Sequence, residues 1–138
     1  MRRSTAILAS LTLCIAPALA REPAETVAAF YDALRAADGE RLSALMTDDA
    51  VVRLADLGFD MSREEFTDSM DVWGEVMEGA TMRVRPDPAT TDGATSVVRV
   101  VCYEFPSNTV LTRETTTLDG GLVARNEQEE IGTECEGF

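Results

Sequence analysis

Acid–base chemistry in this chain has to be done without histidine, because the sequence contains none. It contains no lysine either: 12 arginines stand against 25 acidic residues, for a formal net charge of −13. Serine hydrolysis through histidine, cysteine–histidine catalysis and histidine-ligated metal sites are therefore excluded. Asp, Glu, Tyr and Cys remain as acids or bases, with arginine to pair or steer. Four candidates follow from the strand and helix patterns: Glu114, Arg99, Tyr31 and Asp56. An arginine pointing into a domain is costly unless paired, and Glu114 on the next strand pattern is the partner expected for Arg99. The other reading places Arg99 near the sheet rim with its head in water. Tyr31 either donates its hydroxyl into a cavity or sits half exposed. Arg53, Asp56 and Asp60 follow the first strand, either as polar cavity residues or as surface.

Metal chemistry has little support. The acids are scattered or in solvated pairs such as Glu64-Glu65 and Glu129-Glu130, with no calcium-loop spacing. Cys102 and Cys135 alone cannot make a structural zinc site. No metal and no cofactor are expected. An acidic surface also repels nucleic acid and anionic lipid, since phosphate recognition relies on Lys and Arg.

The elements that position the candidates begin after residue 20. Arg2 and Arg3, the apolar run Ala6–Ala16 and the Ala18-Leu19-Ala20 site form a secretory signal peptide with cleavage expected after Ala20. The run is too short to span a bilayer, so no stable membrane anchor is expected after cleavage. Removing residues 1–20 takes away two arginines and no acid, moving the formal charge from −13 to −15. Residues 21–138 then form one domain of an exported, periplasmic or secreted protein. Such a domain with two remaining cysteines suggests a Cys102–Cys135 disulfide. Closing that loop is worth about 3–4 kcal/mol in the chain-entropy model.

Val27, Phe30, Tyr31 and Leu34 recur at helical spacing behind Pro23. Asp38-Gly39 breaks this helix, and Asp38 can cap a second one that carries Leu42, Leu45 and Met46 and ends at Thr47-Asp48-Asp49. Ala50–Leu54 reads as a strand and Leu57–Met61 as a short return strand. Ser62-Arg-Glu-Glu65 is a capping box opening one helix with Phe66, Met70, Trp73 and Met77 on a side, closed by Gly79. Thr81–Arg85, Thr95–Phe105, Thr109–Leu118 and Leu122–Ile131 are strands, with Asp119-Gly120-Gly121 as a hairpin turn. Gly132–Phe138 is an acidic tail. The predicted architecture is α+β: a curved antiparallel sheet wrapped around the long N-terminal helix, with two further helices, leaving a cone. On Thr95–Phe105 the face with Val97, Arg99, Val101, Tyr103 and Phe105 is expected to point inward. The residues expected to line the cone are Phe30, Leu34, Leu54, Phe66, Trp73, Val101 and Tyr103, with Trp73 as either core plug or pocket wall.

Phe30, Ala33-Leu34, Asp38, Ala44-Leu45-Met46 and Asp48-Asp49-Ala50, at their spacing, resemble the opening of nuclear transport factor 2-like domains, which include SnoaL-like and ketosteroid isomerase-like proteins. That resemblance implies the same cone fold. It also sharpens the question of activity. Ketosteroid isomerases place an oxyanion tyrosine where this chain has Phe30 and a general base where it has Leu54; their protonated aspartic acid falls near Glu114. Arg99 with Glu114 and Asp56 would imitate the Asp-Arg-Asp arrangement of epoxide hydrolase relatives. With two isomerase roles missing, the leading expectation is a non-catalytic domain binding a small apolar or amphipathic ligand or a protein partner. The alternatives are an isomerase, hydrolase or lyase using Glu114, and a homodimerisation module pairing through its outer sheet face.

Overall fold

The computed structural model describes residues 21–138; the signal-peptide expectation lies outside the described residues. Helix α1 (Pro23–Arg35) carries Pro23 in its first turn and turns Val27, Phe30, Tyr31 and Leu34 inward, each almost fully buried. Burying side chains of this size is worth about 1.5–3 kcal/mol apiece, which fixes the helix across the sheet. Helix α2 (Gly39–Leu45) is capped by Asp38, whose Oδ1 accepts from the Arg41 N–H at 2.9 Å. Gly39 is required by proximity: a Cβ there would lie 2.7 Å from the Thr67 carbonyl oxygen.

The six strands are β1 (Met46–Leu54), β2 (Phe59–Ser62), β3 (Thr81–Pro86), β4 (Ser96–Glu104), β5 (Thr109–Asp119) and β6 (Leu122–Gly132). They form one sheet in the order β2-β1-β6-β5-β4-β3. Every neighbouring pair is antiparallel except β1 and β6, which run parallel. The expectation of a wholly antiparallel sheet is corrected there. Strand β1 also starts earlier than its apolar residues suggest. Met46 already pairs with Val123, and an irregularity before Val51 absorbs the polar Thr47-Asp48-Asp49. The turn between β5 and β6 uses Gly120 and Gly121, both at positive φ (56° and 81°), as a two-residue hairpin of this twist requires.

The third helix is two helices, α3 (Arg63–Asp68) and α4 (Met70–Val76). Ser62 and Glu65 form the capping box at the start of α3. The break falls at Ser69, whose hydroxyl donates back to the Phe66 carbonyl at 2.7 Å and so competes with the helical ladder. The apolar stripe survives the break, with Phe66 and Met70 buried and Trp73 and Met77 packed on the core. The return strand is shorter than expected, because Ala55–Leu57 forms a 3-10 turn ended by Gly58 at φ 61°.

Inner and outer faces of β4 separate cleanly. Val97, Val101 and Tyr103 join the core under α1, whereas Cys102 faces outward. The outward face is where the tail returns: Cys102 is bonded to Cys135, with Cα atoms 5.7 Å apart. Beyond it the Phe138 ring lies under the guanidinium groups of Arg83 and Arg85, at 5.4 and 4.8 Å. The bond closes a sequence separation of 33 residues. Reduction is expected to lower the unfolding free energy by about 3–4 kcal/mol. Urea unfolding with and without reductant measures this, with Cys135→Ser as the check; an unchanged midpoint would contradict it.

Candidate functional site

The polar centre of the fold is Glu114 on β5. Its side chain is 0% exposed. Three hydroxyl groups from three elements converge on it. Tyr103 on β4 donates to Oε1 at 2.7 Å, Thr112 on β5 donates to the same oxygen at 2.9 Å, and Tyr31 on α1 donates to Oε2 at 2.9 Å. Beside them runs a second chain of side chains: Gln128 donates to Asn126 Oδ1 (2.9 Å), and Asn126 donates to Thr116 Oγ1 (3.1 Å). The pleat explains the cluster. Thr112, Glu114 and Thr116 alternate on one face of β5, and Asn126 and Gln128 occupy the opposite positions on β6.

Burial lifts the Glu114 carboxyl above its ordinary value near 4.5, while the donors Tyr103, Thr112 and Tyr31 pull it partly back. The two phenols shift in the same direction. Burial, and then the charge of Glu114, push Tyr31 and Tyr103 well above their ordinary range, so both stay protonated donors.

Above this cluster opens a cavity of about 370 Å³. Leu34, Val52, Leu54, Met61, Phe66 and Met70 supply much of its apolar wall. Trp73, Tyr103 and Phe105 form an aromatic side, with Trp73 edge-on to both of the others and Tyr103 stacked with Phe105 at 6.1 Å. The indole N–H of Trp73 donates to the Leu34 carbonyl at 2.8 Å, which fixes the ring. Thr112 and Gln128 reach the wall from the buried network, and Asp56 and Glu130 stand where β1 and β6 end. Glu114 itself is not on the wall; Tyr103 and Thr112 lie between it and the cavity.

The sequence-derived candidates are therefore distributed as follows. Leu34, Leu54, Phe66, Trp73, Tyr103 and Asp56 face the cavity. Phe30 and Val101 are not on its wall; they are fully buried, Phe30 stacked on Phe66 at 6.1 Å. Tyr31 reaches Glu114 rather than the cavity. The expected Arg99–Glu114 ion pair is absent, although the two residues are directly opposite on β4 and β5. Arg99 instead forms a two-pronged pair with Asp92, both N···O distances 2.8 Å. Asp92 comes from the turn after β3 and pairs with an Arg99 side chain that is only 11% exposed, so the guanidinium is answered by a carboxylate rather than by water; Glu114 is satisfied by neutral hydroxyls. This also removes the imitation of an Asp-Arg-Asp hydrolase centre. Thr112, Asn126 and Gln128 were not anticipated. The sequence carries no alternation to mark them, because Thr112–Thr116 is polar at every position; only the burial alternates, and the register with β6 shows which face is inward.

The SnoaL-like domain family matches residues 24–128. The chain belongs to that family. Among solved structures, this SnoaL-like domain is similar to a candidate ketosteroid isomerase from Kribbella flavida, at 15% identity over 82% of this chain and 80% of the other, with a TM-score of 0.68. It is similar to IdmH, a candidate polyketide cyclase from Streptomyces antibioticus, at 18% identity over 80% and 92%, TM-score 0.62. It is also similar to an epoxide hydrolase of the LEH-like type from M. tuberculosis, at 20% identity over 80% and 83%, TM-score 0.58. At these identities the SnoaL-like domain shares a fold with them. No curated protein matches the sequence.

Because Glu114 titrates higher in the folded chain than in the unfolded one, the folded state holds its proton longer as pH rises. Stability is then expected to fall as pH climbs from about 4.5 through the raised value, and to level off above it. The paired carboxylates Asp87, Asp92 and Glu104 are lowered, so their contributions change below that window. Urea midpoints against pH should show the decline in the wild type and lose it in Glu114→Gln. Tyr103→Phe should cost about 1.5–3 kcal/mol, the range for a hydrogen bond to a charged group, and raise the Glu114 value further as read by carboxyl NMR.

Proposed function

We propose that this SnoaL-like domain is an exported binding protein that takes a small, mainly apolar molecule into the cavity beneath α3 and α4. One observation carries the reading: the buried carboxyl group, Glu114, is engaged by three hydroxyl donors behind the cavity wall rather than presented to the cavity. A general base has to reach the proton it removes, and Glu114 meets the cavity only through Tyr103 and Thr112. The wall is apolar with few polar groups, which is the usual character of a small-molecule site, and its volume falls in the usual range. Phe30 and Leu54, at the positions where the isomerase resemblance requires tyrosine and aspartate, supply no acid or base. Export is supported by the Cys102–Cys135 bond, since disulfides persist in oxidising compartments. Among the described residues no helix is long and apolar enough to cross a membrane.

A second reading rests on Tyr103, which touches both the cavity and Glu114. In it the domain is an isomerase, hydrolase or lyase that exchanges a proton with its substrate through that hydroxyl.

Trp73 is the only tryptophan and lies on the cavity wall, so its emission reports occupancy directly. Titration with apolar alcohols is expected to shift this emission saturably. Leu54→Arg, which puts a charge on the wall, should weaken the response at least tenfold. No saturable response with any apolar probe would sink the binding reading. Turnover that Glu114→Gln abolishes while probe binding persists would establish the enzymatic one.

A further inference from the structure

Resting on the binding reading above, we infer that the cavity selects a cationic amphiphile: an alkyl or aryl chain ending in an ammonium group. The charged groups at the cavity are of one sign. Among the described residues, no arginine lines it. Two carboxylates do, Asp56 from the 3-10 turn after β1 and Glu130 from β6. They are held together, because the Glu130 backbone N–H donates to Asp56 Oδ2 at 2.6 Å. Neither takes part in an ion pair among the described residues, while Arg53 pairs with Asp60, Arg113 with Asp87 and Arg125 with Glu127. Asp56 and Glu130 are thus charges at the cavity for which the protein supplies no counter-charge.

The floor has the same bias. The hydroxyl protons of Tyr103 and Thr112 are committed to Glu114, so their oxygens present lone pairs to the cavity. A ligand carboxylate would meet the lone pairs of Tyr103 and Thr112 at the floor and carboxylates at the rim, with only the second amide N–H of Gln128 left to donate to it. A ligand donor or cation meets complementary groups at both. The rings of Trp73, Tyr103 and Phe105 add the kind of surface that attracts an ammonium group through its negative π face. Leu57, which lines the cavity yet is 76% exposed, gives the chain an apolar lip beside Asp56. The formal charge of −13 draws cations toward the whole molecule and does nothing to oppose this choice.

The test uses three probes with the same tail, octyltrimethylammonium, octanol and octanoate, each titrated against Trp73 emission. The ammonium probe is expected to bind about tenfold tighter than octanol, with octanoate weakest, and the gap should narrow at high salt. In Asp56→Asn combined with Glu130→Gln the gap should close to about twofold. Both side chains are exposed, and the Asp56→Asn amide keeps a carbonyl oxygen to accept from the Glu130 N–H, so the variant retains its fold; its urea midpoint verifies that. Octanol binding as tightly as the ammonium probe, or a preference unchanged in the double variant, would overturn the inference and leave cavity binding intact. Silence from all three probes would overturn both.

Discussion

A carboxyl group with no access to water has to be answered from every side, and much of this domain is arranged around that requirement. Glu114 draws one hydroxyl from α1, one from β4 and one from its own strand. Those bonds tie the long helix to the middle of the sheet at a defined height and rotation. Apolar burial alone would hold α1 on the sheet, but the stripe of Val27, Phe30 and Leu34 would tolerate small slides. A phenol that must meet a carboxylate oxygen within hydrogen-bond distance does not. The cluster therefore trades some stability, through desolvation of the carboxyl, for a single placement of the helix.

This placement explains why the cavity is where it is. With Tyr31 and Tyr103 drawn toward Glu114, the sheet's inner face is filled at that level, and the space left over lies toward the ends of β1 and β6. The break at Ser69 lets α3 and α4 bend across that space, with Phe66 and Trp73 facing into it. The cavity is thus the unfilled remainder of the cone, apolar because its walls are core residues that lack a neighbour.

Much of this plan is legible in the sequence because it is periodic. The 3.6-residue stripe of α1, the capping box at Ser62, the double-glycine turn and the parity of β4 are all local signals, and the structure has each of them. The pair Cys102 and Cys135 follows from counting. Contacts set by tertiary placement were not legible. Asp92 sits in a polar turn with no pattern to say which arginine it reaches, so the strand patterns alone match Arg99 to the nearest inward carboxylate instead. Ser69 looks like any helix residue until its hydroxyl turns back on the ladder. Phe30 and Val101 carry the same apolar signal as the residues of the cavity wall, and only packing decides which of them keeps a neighbour. The SnoaL-like resemblance pointed to the fold and to the vacancies at Phe30 and Leu54, but not to the residues that replace a polar floor.

The parallel contact between β1 and β6 has a consequence for how the chain must come together. Strand β6 is the last to be made, yet it lies between β1 and β5 in the middle of the sheet. Strands β1 and β2 pair with each other, but nothing joins that pair to the rest of the sheet until Leu122–Gly132 arrives. Contacts that span so much of the chain are slow to form, and a chain lacking that final segment keeps two unpaired edges where the middle of the sheet should be. The two halves of the sheet therefore join only once β6 is in place between β1 and β5.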